Sequence, residues 1–171
     1  MSRGVRKVPA NWEHPKNEQG YYIPLHGGSF SKCAARWDEE AAQWKKGFRR
    51  HCMDDNKWEP KTADMTQTFA VWRGKRPDEK DYMPDWSDAE RTHYQMYEYV
   101  TKGTPISPVK ESPEALAHWL TDNNASADSY ETATYEQWLA LISHGYPSFF
   151  GLVILPGGEI VNGVEAISRL R

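Results

Sequence analysis

Between Ser112 and Asn162 the chain spells two helix starts and a hairpin in succession, and this order constrains the fold more than any other feature. Ser112-Pro113-Glu114 supplies an N-cap hydroxyl, a proline at the first helical position and an early acid, and Ala115, Leu116, Trp119 and Leu120 follow as an apolar stripe. Asn123-Asn124 ends that helix. Thr134 and Gln137 have the spacing of a capping box ahead of Trp138, Leu139, Leu141 and Ile142, with Gly145 as the stop. The apolar run Phe149 to Leu155, the turn residues Pro156-Gly157-Gly158 and the segment Glu159 to Asn162 have the chemistry of a β-hairpin. Helices beside an antiparallel pair predict an α+β fold: about three helices packed on a small, mostly antiparallel sheet that contains the C-terminal hairpin.

The remaining elements are less regular. Ser29 or Ser31 caps a helix running to about Lys46, with Trp37, Ala41 and Trp44 at helical spacing and Gly47 as the stop. Residues 1–28, broken by Pro9, Pro15, Pro24 and Gly27-Gly28, read as an extended N-terminal arm in which Tyr21-Tyr22-Ile23 forms a short strand. Residues 51–80, interrupted by Asp54-Asp55-Asn56, Pro60, Gly74 and Pro77, read as an irregular loop or insertion. Ser87 and Glu90 form another capping box that should open a short helix, and Tyr94 to Thr101 suits a strand by its β-formers, the alternative being a helix that continues to Tyr97.

No repeat or low-complexity linker divides the 171 residues, so the expectation is a single domain, 1–171. Hydrophobic content is only 39%, but eight Trp, nine Tyr and five Phe each carry a large burial payload, so the core should be aromatic. A net charge of −3, from 24 acidic and 21 basic residues, favours neither nucleic acid nor a strongly basic partner for the molecule as a whole. It also speaks against an acidic mimic of DNA. Met1 to Pro9 lacks the apolar core of a signal peptide, and no segment approaches the roughly 20 apolar residues of a membrane span, so a cytoplasmic protein without membrane contact is expected. Cys33 and Cys52 then read as reduced structural thiols.

No arrangement demanded by a familiar chemistry stands out. Cys33, His51 and Cys52 lack the C-x-x-C or H-x-x-x-H spacing of a zinc site, and the adjacency of His51 to Cys52 does not by itself place a base on a thiol. His26-Gly27-Gly28-Ser29 lacks the spacing of a phosphate loop and reads as a turn, while Asp38, Glu39 and Glu40 read as a solvated helix face. No catalytic residue, metal site or cofactor is therefore expected, and the balance lies against an enzyme, although active-site geometry need not be visible in sequence order. One segment argues for binding: Trp44, Lys45, Lys46, Phe48, Arg49 and Arg50 interleave cations with aromatics, as a site for single-stranded nucleic acid or a nucleotide would. The plainer alternative is a helix end whose cations complement the macrodipole. Trp72-Arg73-Gly74-Lys75-Arg76 would extend the patch if the loop folds back onto it.

Several stretches carry a resemblance. Arg6-Lys7-Val8-Pro9, Trp12-Glu13-His14-Pro15, Tyr82-Met83-Pro84-Asp85-Trp86, Arg91-Thr92-His93-Tyr94-Gln95-Met96-Tyr97-Glu98, Gly103-Thr104-Pro105-Ile106-Ser107-Pro108-Val109 and Ser112-Pro113-Glu114-Ala115-Leu116-Ala117 with Trp119-Leu120 resemble a family of small proteins encoded by tailed phages and prophages. These motifs are a fingerprint rather than a mechanism. The resemblance implies a phage accessory protein in the cytoplasm of the bacterial host, and such proteins often bind and inhibit a host factor, defence enzymes included. The leading expectation is thus a non-enzymatic protein-binding factor whose partner is a host protein, with Trp86, His93, Tyr97 and Tyr99 as exposed aromatic anchors. The nucleic-acid module at Trp44 to Arg50 is the alternative.

Overall fold

The computed structural model describes residues 3–98, 103–128, 131–144, 152–154 and 160–162. In chain order the elements are β1 (Arg3–Val8), α1 (Phe30–Lys45), β2 (Phe48–Arg50), β3 (Trp58–Pro60), α2 (Phe69–Arg73), β4 (His93–Glu98) and β5 (Thr104–Pro105). There follow α3 (Pro113–Asp122), β6 (Ser126–Asp128), β7 (Glu131–Thr132), α4 (Tyr135–His144), β8 (Leu152–Ile154) and β9 (Ile160–Asn162). Every strand pair is antiparallel, and the architecture is α+β. Among the described residues no helix is long and apolar enough to cross a membrane. Packing separates two compact units, residues 26–85 and the remainder, and no linker composition marks either joint, which is why the sequence shows no boundary.

The larger unit is built around β4. β1 pairs with it from Arg3↔Glu98 to Val8↔His93, and β5 pairs on its other edge, giving the order β1-β4-β5. The first residues of the expected arm are therefore a strand, and the arm proper begins after Val8. That pairing joins segments about ninety residues apart in sequence, which local patterning cannot reveal. Successive side chains of β4 point to opposite faces, and both faces are covered. Met96 joins Leu116, Ala117 and Leu120 of α3 and Trp138, Leu141 and Ile142 of α4 in the apolar core, with Val5 and Tyr94 packed against it. Gln95 and Tyr97, on the other face, are also buried.

Helices α3 and α4 begin as their caps direct. Ser112 accepts from the Ala115 amide with Pro113 in the first turn, while Thr134 and Gln137 exchange hydrogen bonds at 2.9 and 3.3 Å. Asn123 caps the end of α3, and Asn124 takes a left-handed conformation at φ 47° that breaks it. The third capping box behaves differently. The Glu90 carboxylate accepts from both the Ser87 amide and the Ser87 hydroxyl, at 2.8 and 2.7 Å, but the Glu90 amide donates to the Ser87 carbonyl rather than to that hydroxyl. The chain makes only a turn before β4 begins at His93, where β-formers take over. At the C-terminus β8 and β9 pair from Leu152↔Asn162 to Ile154↔Ile160 and form a two-stranded sheet of their own rather than part of the main one. The expected hairpin turn and the Gly145 stop lie outside the described residues.

Glycine is required at one crossing in this unit. Gly103 has φ 104°, and a β-carbon there would lie 2.0 Å from the Leu25 carbonyl oxygen and 2.5 Å from the Arg6 guanidinium. The same glycine accepts from the Leu25 amide at 3.2 Å, so the close approach of the two backbones is itself part of what holds Leu25 in place.

In the smaller unit the expected irregular stretch 51–80 is partly ordered. β2 and β3 form a hairpin whose turn uses Asp54-Asp55-Asn56: the Asp54 carboxylate accepts from the Asn56 amide, and its carbonyl accepts from the Lys57 amide. Thr68 then caps the short α2. Aromatic rings close this unit as the composition predicts. Phe69 packs against Trp37 and Trp44, and Trp44 stacks on Trp72 with centroids 4.6 Å apart.

Glu40, read from the sequence as part of a solvated face, is buried at the centre of a charge cluster. Its carboxylate meets Arg36 and Arg50 at 2.9 Å and Arg73 at 3.7 Å, while Asp38 and Glu39 do remain exposed. Without Glu40, Arg50 keeps Glu39, Arg36 keeps Asp55 and the half-exposed Arg73 can turn to water, so the loss should be about 1–3 kcal/mol rather than that of a fully buried pair. Glu40→Ala should destabilise the protein by that order in urea unfolding followed by tryptophan fluorescence, whereas Asp38→Ala, at an exposed ion pair, should leave the unfolding midpoint nearly unchanged.

Candidate functional site

The buried face of β4 carries a polar network that the sequence did not announce. Trp12 Nε1 donates to the Tyr97 hydroxyl oxygen at 3.0 Å, and that hydroxyl donates to Gln95 Oε1 at 2.8 Å. Gln95 is oriented by its own amide, since Nε2 donates to the Ser107 carbonyl at 2.8 Å. Ser107 Oγ accepts from the Met96 amide, fixing the segment after β5 against β4. Arg6 lies over the Tyr97 ring at 4.1 Å and donates to the Leu25 carbonyl at 2.8 Å.

His14 completes the network, and its tautomer follows from its partners. Nε2 lies 2.6 Å from the Ile23 carbonyl oxygen, which can only accept, so Nε2 carries the proton. Nδ1 then faces the Tyr97 hydroxyl at 3.3 Å as an acceptor, and the single phenolic proton prefers the shorter contact to Gln95. Burial holds the His14 pKa below its ordinary 6.5; the hydrogen bond to Ile23 opposes this and the nearby Arg6 charge adds to it. Burial also pushes the Tyr97 hydroxyl up to about 12, against the pull of the Trp12 donor and Arg6.

Above this network is a cleft of about 620 Å³ lined by the rings of Trp12, His14 and Tyr22, by Pro15, Pro108 and Val109, and by Glu13, Lys16 and Gln95. One border is a tight hairpin. Asn17 Oδ1 accepts from the amides of Gln19 and Tyr21, Gly20 donates to the Asn17 carbonyl, and Ile23 donates to the Pro15 carbonyl. Gly20 sits at φ 84°, as this turn requires. The hairpin holds Tyr21, Tyr22 and Ile23 in water with 72%, 42% and 39% of their surfaces exposed. The expected strand at Tyr21 to Ile23 is thus a single bridge, Lys16↔Tyr22, inside a rigid loop.

No protein-family model, curated protein or solved structure matches the chain. Function is therefore read from these residues.

Of the four aromatic anchors expected from the sequence, the three among the described residues are not exposed. Tyr97 is fully buried, because β4 is covered on both faces. Trp86 is half-buried, with its ring edge against Trp12 at 4.6 Å. His93 is half-buried at the start of β4 and hydrogen-bonded to Thr92, and Tyr99 lies outside the described residues.

The basic-aromatic segment is likewise rearranged by tertiary contacts. Trp44 is buried, Arg49 pairs with Glu59 at 2.7 Å, and Arg50 pairs with Glu39 and Glu40 while lying over Trp58 at 4.5 Å. Only Lys45, Lys46 and Phe48 are exposed. In the extension at Trp72 to Arg76, Arg73 pairs with Glu40 and Arg76 with Asp38, while Lys75 is exposed. At His26 to Ser29 the start of α1 already holds an anion: Asp85 accepts from the Ser31 amide and from the hydroxyls of Ser29 and Ser31. Cys33 and Cys52 are free thiols, and among the described residues no three His, Cys, Asp or Glu side chains converge as a metal site.

Two outcomes test the network. Tyr97→Phe leaves Trp12 Nε1 and Gln95 Oε1 without their partner and should cost about 1–3 kcal/mol in denaturant unfolding. Because the folded state holds His14 below its unfolded pKa, this group contributes no penalty above about pH 6.5, and stability falls as pH drops below that value towards the folded pKa. Thermal unfolding of the wild type should show that loss, and His14→Asn should remove its share of the slope.

Proposed function

We propose that this chain is a phage accessory protein that acts by binding a bacterial host protein and modulating or inhibiting it, with the Tyr21–Ile23 hairpin and the adjoining cleft as its docking face. The observation that carries this reading is the exposure of three consecutive large apolar side chains on a loop pinned by five backbone and side-chain hydrogen bonds. Rigid tyrosines supply much contact area at little entropic cost, which is the property of interface hot spots. A loop ordered before binding has no folding entropy left to lose.

Two further observations support it. His14 and Tyr97, the titratable groups beneath the cleft, are tied to internal partners, and burial moves the proton affinity of each away from neutrality. This suits a scaffold that holds a surface better than one that exchanges protons with a substrate. The segments resembling the phage family also converge here: Trp12 and His14, Gln95 and Tyr97, and Ser107 and Pro108 come from three of its motifs. The host target would be met in the bacterial cytoplasm, and a defence protein is the target class that the resemblance suggests.

The test is capture from bacterial lysate, with nuclease and at high salt, comparing the wild type with Tyr21→Ala/Tyr22→Ala. A host protein retained by the wild type should be lost from the variant, and its purified form should bind the variant at least about 30-fold more weakly, as removal of a hot spot worth about 2 kcal/mol requires. Equal binding by the variant would overturn this docking face. Recovery of nucleic acid that is released by salt would instead favour Lys45 and Lys46 as the contact.

A further inference from the structure

We propose that the cleft beside the Tyr21–Ile23 hairpin is a cation site, which takes an alkylammonium or guanidinium side chain presented by the partner. The proposal rests on the reading of this face as the docking face and names the chemistry that the face recognises. Its basis is a set of rings, one carboxylate and one internal cation that together line a single cavity.

The rings stand nearly perpendicular in sequence. Trp12 and His14 meet edge to face at 5.9 Å and 83°, and His14 and Tyr22 at 5.6 Å and 85°. In an edge-to-face pair the electron-poor edge of one ring lies on the electron-rich face of the next, so these contacts fix the rings in place, and the face that holds a cation is that of Tyr22. Glu13 lines the same cavity and has no ion-pair or hydrogen-bond partner among the described residues, so a carboxylate is available to the guest.

The internal cation makes the preference visible. Lys16 Nζ lies over the Tyr22 ring at 4.8 Å, and its ammonium has no carboxylate partner among the described residues. The chain's own lysine therefore occupies one face of the site as a guest would, held by a ring and a flexible stem, and a cation from outside can replace it. A cavity of about 620 Å³ has room for a long cationic side chain in addition to the displaced lysine head.

An anionic ligand would use the same cavity in the opposite sense, with Lys16 as its anchor, and this contrast makes the site testable with small probes. The probes are choline and its neutral isostere 3,3-dimethyl-1-butanol, titrated separately into the intact protein while the Trp12 indole N–H is followed by NMR. Choline should shift that signal saturably, with a Kd of about 30 mM, the affinity that corresponds to a cation–π contact of about 2 kcal/mol. The neutral isostere should bind at least about fivefold more weakly.

Both Glu13 and Lys16 are exposed, so their variants should fold. Glu13→Gln should weaken choline binding about threefold or more, and Lys16→Ala should strengthen it by removing the internal competitor. Equal binding of the two probes, no choline binding, or weaker choline binding in Lys16→Ala would overturn the cation site. These results do not depend on any partner: if choline fails while Tyr21→Ala/Tyr22→Ala still abolishes host-protein capture, the cation site is wrong and the docking face stands. If choline binds as expected but capture is indifferent to the tyrosines, the site is supported and the docking face is wrong.

Discussion

Strand β4 is buried on both faces, and the larger unit is organised by what each face meets. Met96 points into the apolar core beneath α3 and α4, while Gln95 and Tyr97 point into a polar layer that has to satisfy every donor and acceptor it buries. The Tyr97 hydroxyl is the centre of that layer, accepting from Trp12, donating to Gln95 and facing His14. Because His14 in turn donates to the Ile23 carbonyl, the same network fixes the base of the exposed hairpin. The exposed hairpin is thus held in place by a network that is itself buried or half-buried.

The smaller unit follows a different rule. Its apolar content is a cluster of tryptophans with Phe69, and charge does much of the remaining work around Glu40. A buried carboxylate requires partners, and it draws in Arg36, Arg50 and Arg73 from three elements. The arginines of the basic-aromatic segment and its expected extension, Arg49, Arg50, Arg73 and Arg76, therefore neutralise acids of their own chain. Asp85 at the start of α1 is a second case, a carboxylate occupying a helix terminus that an external anion would otherwise find open.

Local chemistry was legible where it acts over a few residues. The caps at Ser112 and Thr134 placed α3 and α4, Ser29 placed α1, and the alternating β-formers from Tyr94 onward placed β4. The candidate site was not legible, since its parts come from three distant segments: Trp12 to Tyr22, Gln95 to Tyr97 and Ser107 to Val109. The one signal available was Trp12-Glu13-His14-Pro15, where a tryptophan and a histidine two residues apart point to the same side of an extended chain. Tyr97 misled for a related reason: a tyrosine in a strand reads equally as an exposed anchor or a buried ring until the covering segment is known.

The sequence by itself determined the α+β class and the starts of α1, α3 and α4, because caps and periodicity are enforced by backbone geometry within one or two turns. The aromatic core it suggested is found in the smaller unit, while among the described residues the core of the larger unit packs mainly Met, Leu, Ile and Ala around Trp138. Tertiary structure alone decided which aromatics are exposed and which arginines are free. Exposure depends on what packs over a residue, and the free energy of a charge depends on the nearest opposite charge, which for Arg49 and Arg50 lies about ten residues away and for Arg73 more than thirty. Those distances are set by the fold and are absent from the order of the residues.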